Sequence, residues 1–244
     1  SMDSKEIKSE LLKNQGNILK YEEVPGKNGI DTPANEKGYD YILTKADGDY
    51  GNFKVTLAGE NKFVVYKLPV TITAENNSKV YGENDPKLAY TINISDEYES
   101  NKKEELKGIL EEVKGGILTR EEKEDVKDTP YKITAKVDWN KEDSLKNYAV
   151  KFVEGEFIIK QLQVEITPSD ETNSKVYGAE DPKYDYAYKL INSNQEKNTK
   201  CADVKKDGEL GPGDKILTYK GSKGIKTPVN DNGYTYQFKG GINK

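Results

Sequence analysis

Ser-Lys-Val-Tyr-Gly occurs at residues 78–82 and again at 174–178, and each time Asp-Pro-Lys follows, at 85–87 and at 181–183. The spacing, 174 minus 78, is 96 residues. A repeat of this length constrains the fold more than any single motif does, because every copy has to build the same local structure. Ninety-six residues are enough for a small core of their own. A second match supports the frame. GIKTPVNDNGYTY at 224–236 shares eight of thirteen positions with GIDTPANEKGYDY at 29–41, an offset of 195, close to two periods. Residues 1–67 then read as a partial copy that lacks its first two strands. Residues 68–160 read as a complete copy, and residues 161–244 as a partial copy that lacks its last two strands.

Within this frame the chain reads as mostly β. Alternating apolar and β-branched runs predict strands at 18–21, 38–43, 53–57, 62–67, 70–73, 88–94, 116–120, 131–139, 148–153 and 157–160. Asp47-Gly48 predicts a hairpin turn between 38–43 and 53–57. In the third copy, 164–167, 184–188 and 215–220 repeat the pattern. Residues 101–113 predict the best helix, with Leu106, Ile109, Leu110 and Val113 at i, i+3, i+4 and i+7 and a Gly115-Gly116 stop. Residues 3–15 predict a shorter one. Residues 201–210 stand at the helix position of the third copy with a weaker pattern, and Gly16-Asn17 reads as a turn. Leu68-Pro69 and Gln161-Leu162-Gln163 read as short, stiff joints between copies. Gly82 is expected at positive φ, and Asp85-Pro86 starts a turn.

Composition narrows the function classes. With 17 Tyr and a net charge of only −5, the 33% of charged residues indicate a folded chain with much solvated surface. The charge balance offers no basic field for phosphates, so nucleic acid is a poor partner. No apolar run reaches the roughly 20 residues of a membrane-spanning helix. Histidine is absent, which removes the commonest general base and metal ligand, and lowers the expectation of catalysis. Cys201 is the single cysteine, so no intrachain disulfide forms, and with no histidine partner it reads as a passive thiol. Ser1-Met2 reads as an expression remnant ahead of an internal segment, so the lack of a signal peptide says nothing about the parent protein.

The order of motifs resembles a known family. A VTIT strand followed by Tyr81, Gly82, Asp85 and Pro86, then Gly116, Leu118 and Arg120, then Asn147, Tyr148 and Phe152, and a closing strand with Phe157 and Ile159, is similar to the MBG domain of the YGX type. Tyr177, Gly178, Asp181 and Pro182 repeat the first part in the third copy. The resemblance implies tandem modules of a large bacterial surface protein, adhesin-like and Gram-positive wall-anchored, with no catalysis and no cofactor. At the position of Arg120 the first and third copies carry Tyr21 and Tyr219, or residues beside them, which leaves a ligand-binding role for either copy open.

The expected fold is α+β, with tandem β-grasp-like repeats of one sheet and one short helix each, the first and last strands of a repeat running the same way. An immunoglobulin-like sandwich is the alternative, to be preferred if the 101–113 helix were absent. The leading function is an extracellular stalk or spacer. The alternatives are an adhesive module binding a host glycan or protein, and an accessory module of a secreted enzyme. Incomplete terminal copies with open sheet edges also suggest head-to-tail self-association. Among candidate sites, the Tyr-Gly-x-x-Asp-Pro stretches read as turns before they read as binding loops. Asp47, Asp49, Glu83-Asn84-Asp85 and Glu180-Asp181 lack the spacing of a calcium loop and read as surface turns. Carboxylate pairs such as Glu111-Glu112 and Glu121-Glu122 are expected by number alone among 43 acidic residues. Alternating tyrosines read as sheet covering before they read as a sugar platform.

Overall fold

The computed structural model of the chain describes residues 3–15, 17–27, 29–95, 99–169, 173–194, 198, 210–211 and 213–239. The elements follow in chain order. Helix α1 (Ser4–Gln15) precedes β1 (Leu19–Tyr21), β2 (Asn35–Leu43), β3 (Asp49–Tyr50), β4 (Phe53–Lys54) and β5 (Lys62–Val65). Residues 68–160 hold β6 (Leu68–Ala74), β7 (Asn77–Val80), β8 (Tyr90–Ile94), α2 (Glu99–Glu111), β9 (Leu118–Arg120), β10 (Tyr131–Ala135), β11 (Tyr148–Val153) and β12 (Gly155–Lys160). Residues 161–239 hold β13 (Val164–Pro168), β14 (Tyr186–Leu190), the single helical turn α3 (Gly213–Ile216), β15 (Leu217–Tyr219) and β16 (Tyr236–Phe238). The chain is thus mostly β with short helices, as its patterning predicts.

The chain folds as two compact units, each assembled from separate stretches of sequence. One comprises Ser1–Ala74, Tyr90–Thr119 and Thr134–Glu154; the other comprises Glu75–Ala89, Arg120–Ile133 and Gly155–Lys244. In the first unit, β6 is the centre of a three-stranded sheet ordered β11-β6-β8. Its period-two pattern buries Val70, Ile72 and Ala74 on one face. Helix α2 packs its apolar stripe on this sheet: Leu106 and Leu110 are buried with Val70, Ile72, Ile94, Ile117, Leu145 and Tyr148, and Ile109 and Val113 flank them. The helix predicted at 101–113 is therefore present, shifted two residues towards the N-terminus. A second sheet of this unit, β1-β2-β5, stacks Tyr21 on Phe63 at 4.4 Å between ring centroids.

In the second unit, β12 buries Gly155, Phe157 and Ile159 and runs beside β7 in the sheet ordered β7-β12-β10-β9. A separate tyrosine-rich core holds Tyr184, Tyr186, Ile216, Leu217 and Tyr219 under the β13–β14 and β15–β16 pairs. Residues 68–160 contribute one parallel pair to each unit, β6 with β11 and β7 with β12. Tyr148 faces Leu68 and Phe157 faces Asn77, so both registers have the same 80-residue offset (148 minus 68, 157 minus 77). The first strand of the stretch, β6, and its last, β12, belong to different sheets, and neither parallel pair joins them.

Several expectations are corrected. The strands of residues 68–160 form two sheets, not one, because each long strand is interrupted, at Glu75-Asn76 and at Glu154. Leu68-Pro69 lies inside β6, where the Leu68 amide donates to the Asn147 carbonyl; the joint is Tyr66-Lys67. Asp47-Gly48 does not join 38–43 to 53–57. Strand β2 pairs with β1 and β5, and only Phe53–Lys54 of 53–57 is extended, in a two-residue ribbon with β3. Ser78–Val80, to which the patterning assigns no strand, forms most of β7. Cys201, Gly16 and most of 201–210 lie outside the described residues.

Candidate functional site

The repeated stretch places the same turn twice in the second unit. Gly82 has φ of 85° and Gly178 has φ of 86°, a conformation in which a Cβ is strained, so the glycine of each Tyr-Gly pair is obligatory. Tyr81 and Pro86 are half-buried and Asp85 is exposed, whereas Tyr177 is 66% exposed and Asp181 and Pro182 are half-buried.

A lysine within the repeated stretch locks each turn. Lys79, on β7, bonds Asp85 at 2.7 Å and Glu124 at 2.6 Å, and its side chain is buried. Arg120, at the end of β9, bonds the same Asp85 through Nε at 2.6 Å and Nη2 at 2.8 Å, and pairs with Glu124. Its Nη1 donates to the Glu121 and Lys123 carbonyls, and its guanidinium lies 4.8 Å from the Phe157 ring centroid. Two cations face two carboxylates, so the cluster is closed and carries no net charge. Fork-like bonding of this kind fixes geometry as well as charge.

The third copy rebuilds the lock with a different partner. Lys175 bonds Asp181 at 2.5 Å and the Gly224 carbonyl at 2.7 Å. Where Arg120 stood, the Tyr219 hydroxyl donates to Asp181 at 3.0 Å, joined by Ser222 at 3.0 Å. Tyr219 also bonds the Thr227 hydroxyl at 2.7 Å. The first copy keeps that last part: the Tyr21 and Thr32 hydroxyls lie 2.8 Å apart. Further bonds recur 195 residues apart. Tyr39 donates to the Pro33 carbonyl at 2.7 Å, and Tyr234 to the Pro228 carbonyl at 2.8 Å. The Asn35 amide donates to the Gly38 carbonyl, and the Asn230 amide to the Gly233 carbonyl.

The locks perturb titration as their geometry requires. Hydrogen bonds from Arg120, outweighing burial and reinforced by Lys79, hold the Asp85 carboxyl down to about 2. Asp85 in turn raises the Arg120 guanidinium. Glu124 is lowered: burial acts against this, and the bonds from Lys79 and Arg120 together prevail. Asp181 is lowered in the same way, with burial opposed by Lys175, Tyr219 and Ser222.

The two turns differ in what covers them. A Cβ on Gly82 would lie 2.0 Å from Oδ1 of Asn198, which is fully buried and donates to the Tyr81 carbonyl at 2.8 Å. Ser193 donates to Glu83 at 2.7 Å beside it. The turn of the complete copy is thus keyed into the third copy. Around Gly178 the space is open. Next to it lies a groove of about 570 Å³, lined by Asn173, Lys175, Tyr177, Tyr184, Tyr219 and Tyr234 among others. The buried Tyr184 hydroxyl has no hydrogen-bond partner among the described residues, and burial, first of all, raises its pKa.

Other candidates resolve into turn chemistry. Asp47 accepts the Asp49 amide, and Asp49 accepts the Gly51 amide. Glu83 accepts the Val80 amide. Turn propensity alone does not single out Lys79 and Lys175, although both lie inside the repeated five residues, six positions before the aspartate. Nothing in the local pattern marks Glu124 or Asn198.

The geometry defines a β-rich module whose Tyr-Gly turn is tied by a buried lysine to the aspartate of Asp-Pro. Residues 70–158 match the family model of the MBG domain (YGX type), so the chain contains one such domain. No curated protein and no solved structure matches the chain.

Proposed function

We propose that the chain is a non-catalytic, load-bearing spacer segment of a bacterial surface protein, exposed outside the cell. One observation carries the reading: within residues 68–160 the last two strands are the parallel neighbours of the first two, β11 beside β6 and β12 beside β7. Tension applied at the ends pulls adjacent parallel strands in opposite directions. The evenly spaced bonds of a parallel ladder are then loaded together in shear, and are not opened one at a time. The joint at 161–163 is held as a spacer requires. The Asn192 side chain accepts the Gln163 amide at 2.8 Å and donates to the Gln161 carbonyl at 2.9 Å. The MBG domain supports the location, since domains of this type are typical of bacterial surface proteins.

Single-molecule force spectroscopy tests the role. Pulled from its ends, the chain should resist with a higher rupture force than when handles at Lys67 and Ser95 load the antiparallel β6–β8 ladder from one end. Equal or lower resistance in the end-to-end geometry would contradict a load-bearing role.

A further inference from the structure

Gly82 meets two demands, and only one of them belongs to its own turn. Its φ of 85° favours glycine, as does the 86° of Gly178. At Gly82 the bare Cα also makes room for a side chain from far along the chain, since a Cβ there would lie 2.0 Å from Oδ1 of Asn198. Asn198 is 0% exposed, and its amide donates to the Tyr81 carbonyl at 2.8 Å. The backbones of Glu83 and Asn198 form an antiparallel bridge, and the Ser193 hydroxyl donates to Glu83 at 2.7 Å. These contacts run from the segment after β14 to the Tyr-Gly turn of residues 68–160, across the connector at 161–163. The connector's own bonds do something else. Asn192 bonds Gln161 and Gln163, which ties the connector to the end of β14.

The position of Asn198 recurs. Subtracting the 96-residue period gives Lys102, whose Nζ bonds Asp31 at 3.3 Å. Asp31 closes the short turn Gly29–Asp31. The matching turn 195 residues on, Gly224–Lys226, offers its Gly224 carbonyl to Lys175, which precedes Gly178 by three residues. Such a turn therefore lies at the end of a copy where the Tyr-Gly stretch sits. Both Lys102 and Asn198 reach back to that end of the preceding copy.

We infer that the Tyr-Gly turn is a socket for the copy of the repeat that follows it, and that Asn198 is the key that holds the β13–β14 pair in one orientation on the β7–β12 pair. Consecutive modules joined by a short connector move against each other unless their contact is strong. Movement here would leave the buried Asn198 amide and the Tyr81 carbonyl without each other, and an unpaired buried polar group is costly. Lys102 supplies a weaker form of the same contact, because Asp31 is largely exposed and an exposed ion pair contributes little. The inference adds to the spacer reading without resting on it: rupture force reads the parallel ladders, whereas the key sets orientation between copies.

Residual dipolar couplings of the full chain test it. In wild type, the amides of β7–β12 and those of the β13–β14 and β15–β16 pairs, which share a core, should fit a single alignment tensor. Asn198→Ala removes the donor, and Gly82→Ala displaces it from the other side. In each variant both groups of strands should keep their internal fit, while the β13–β14 and β15–β16 pairs lose alignment relative to β7–β12. Gly178→Ala imposes the same backbone strain with no side chain in the way, and should keep the shared tensor. Separate tensors in wild type, or a shared tensor in either Asn198→Ala or Gly82→Ala, would overturn the inference. Equal loosening by Gly178→Ala would overturn it too, because turn strain and not the key would then be the cause. If Asn198→Ala unfolds the β13–β14 pair, Gly82→Ala decides alone, and a shared tensor there overturns the inference.

Discussion

Asp85 carries the clearest pH signature in the molecule. Arg120, first of all, and Lys79 hold its carboxyl at about 2, against 3.8 for the free group. A lowered carboxylate pKa stabilises the fold above the unfolded value and loses that contribution as pH falls through the folded value. Its contribution should therefore be complete above about pH 4 and fade towards pH 2. Asp85 is partly exposed, so screening leaves about 1 kcal/mol of the linkage. Urea unfolding of wild type and Asp85→Asn at pH 5.5 and pH 2 measures it: the gap between them should be wider at pH 5.5. An equal gap at both pH values would show that the lock does not depend on ionisation. Part of this lock was legible in the sequence, because the aspartate and the lysine both sit in the repeat. Glu124 was not, because its role depends on the fold bringing 120–124 over β7, and only Arg120 was marked by the family pattern.

At the scale of the element, the two Tyr-Gly turns offer an internal control. Gly82→Ala and Gly178→Ala each force an L-residue into positive φ, which costs about 1–2 kcal/mol at both sites. At Gly82 the new methyl also meets Asn198, which is buried and bonded to the Tyr81 carbonyl, whereas at Gly178 it meets open space. Gly82→Ala should therefore be the more destabilising in chemical denaturation, and should release the bond to Tyr81. Equal losses would mean that Asn198 does not key the turn. Strand and helix positions were largely legible, because β6, α2 and β12 carry strong periodicities. Partners were harder to read. The Asp47-Gly48 signal is local, but β2 is claimed by β1 and β5, and long-range pairing overrides a turn preference. The division of 68–160 into two sheets was invisible for the same reason: the patterning separates 148–153 from 157–160, but which strands each piece pairs with is set by long-range contacts.

At the scale of the whole molecule, repetition of sequence does not guarantee repetition of structure. Each stretch carries its own lock, Lys79 with Asp85 and Lys175 with Asp181, and each keeps its glycine at positive φ. Among the described residues, only the first is paired with a strand. The fold of a repeated segment is thus completed by what lies beside it. Amide hydrogen exchange over the two identical stretches tests this most directly. Buried ladder amides open only with substantial unfolding, whereas unpaired surface amides exchange almost freely. Lys79 and Tyr81 should be strongly protected, and Lys175 and Tyr177 should exchange far faster under the same conditions. Equal protection of the two stretches would contradict the claim, because it would show that the sequence alone, and not the neighbouring strand, sets their structure.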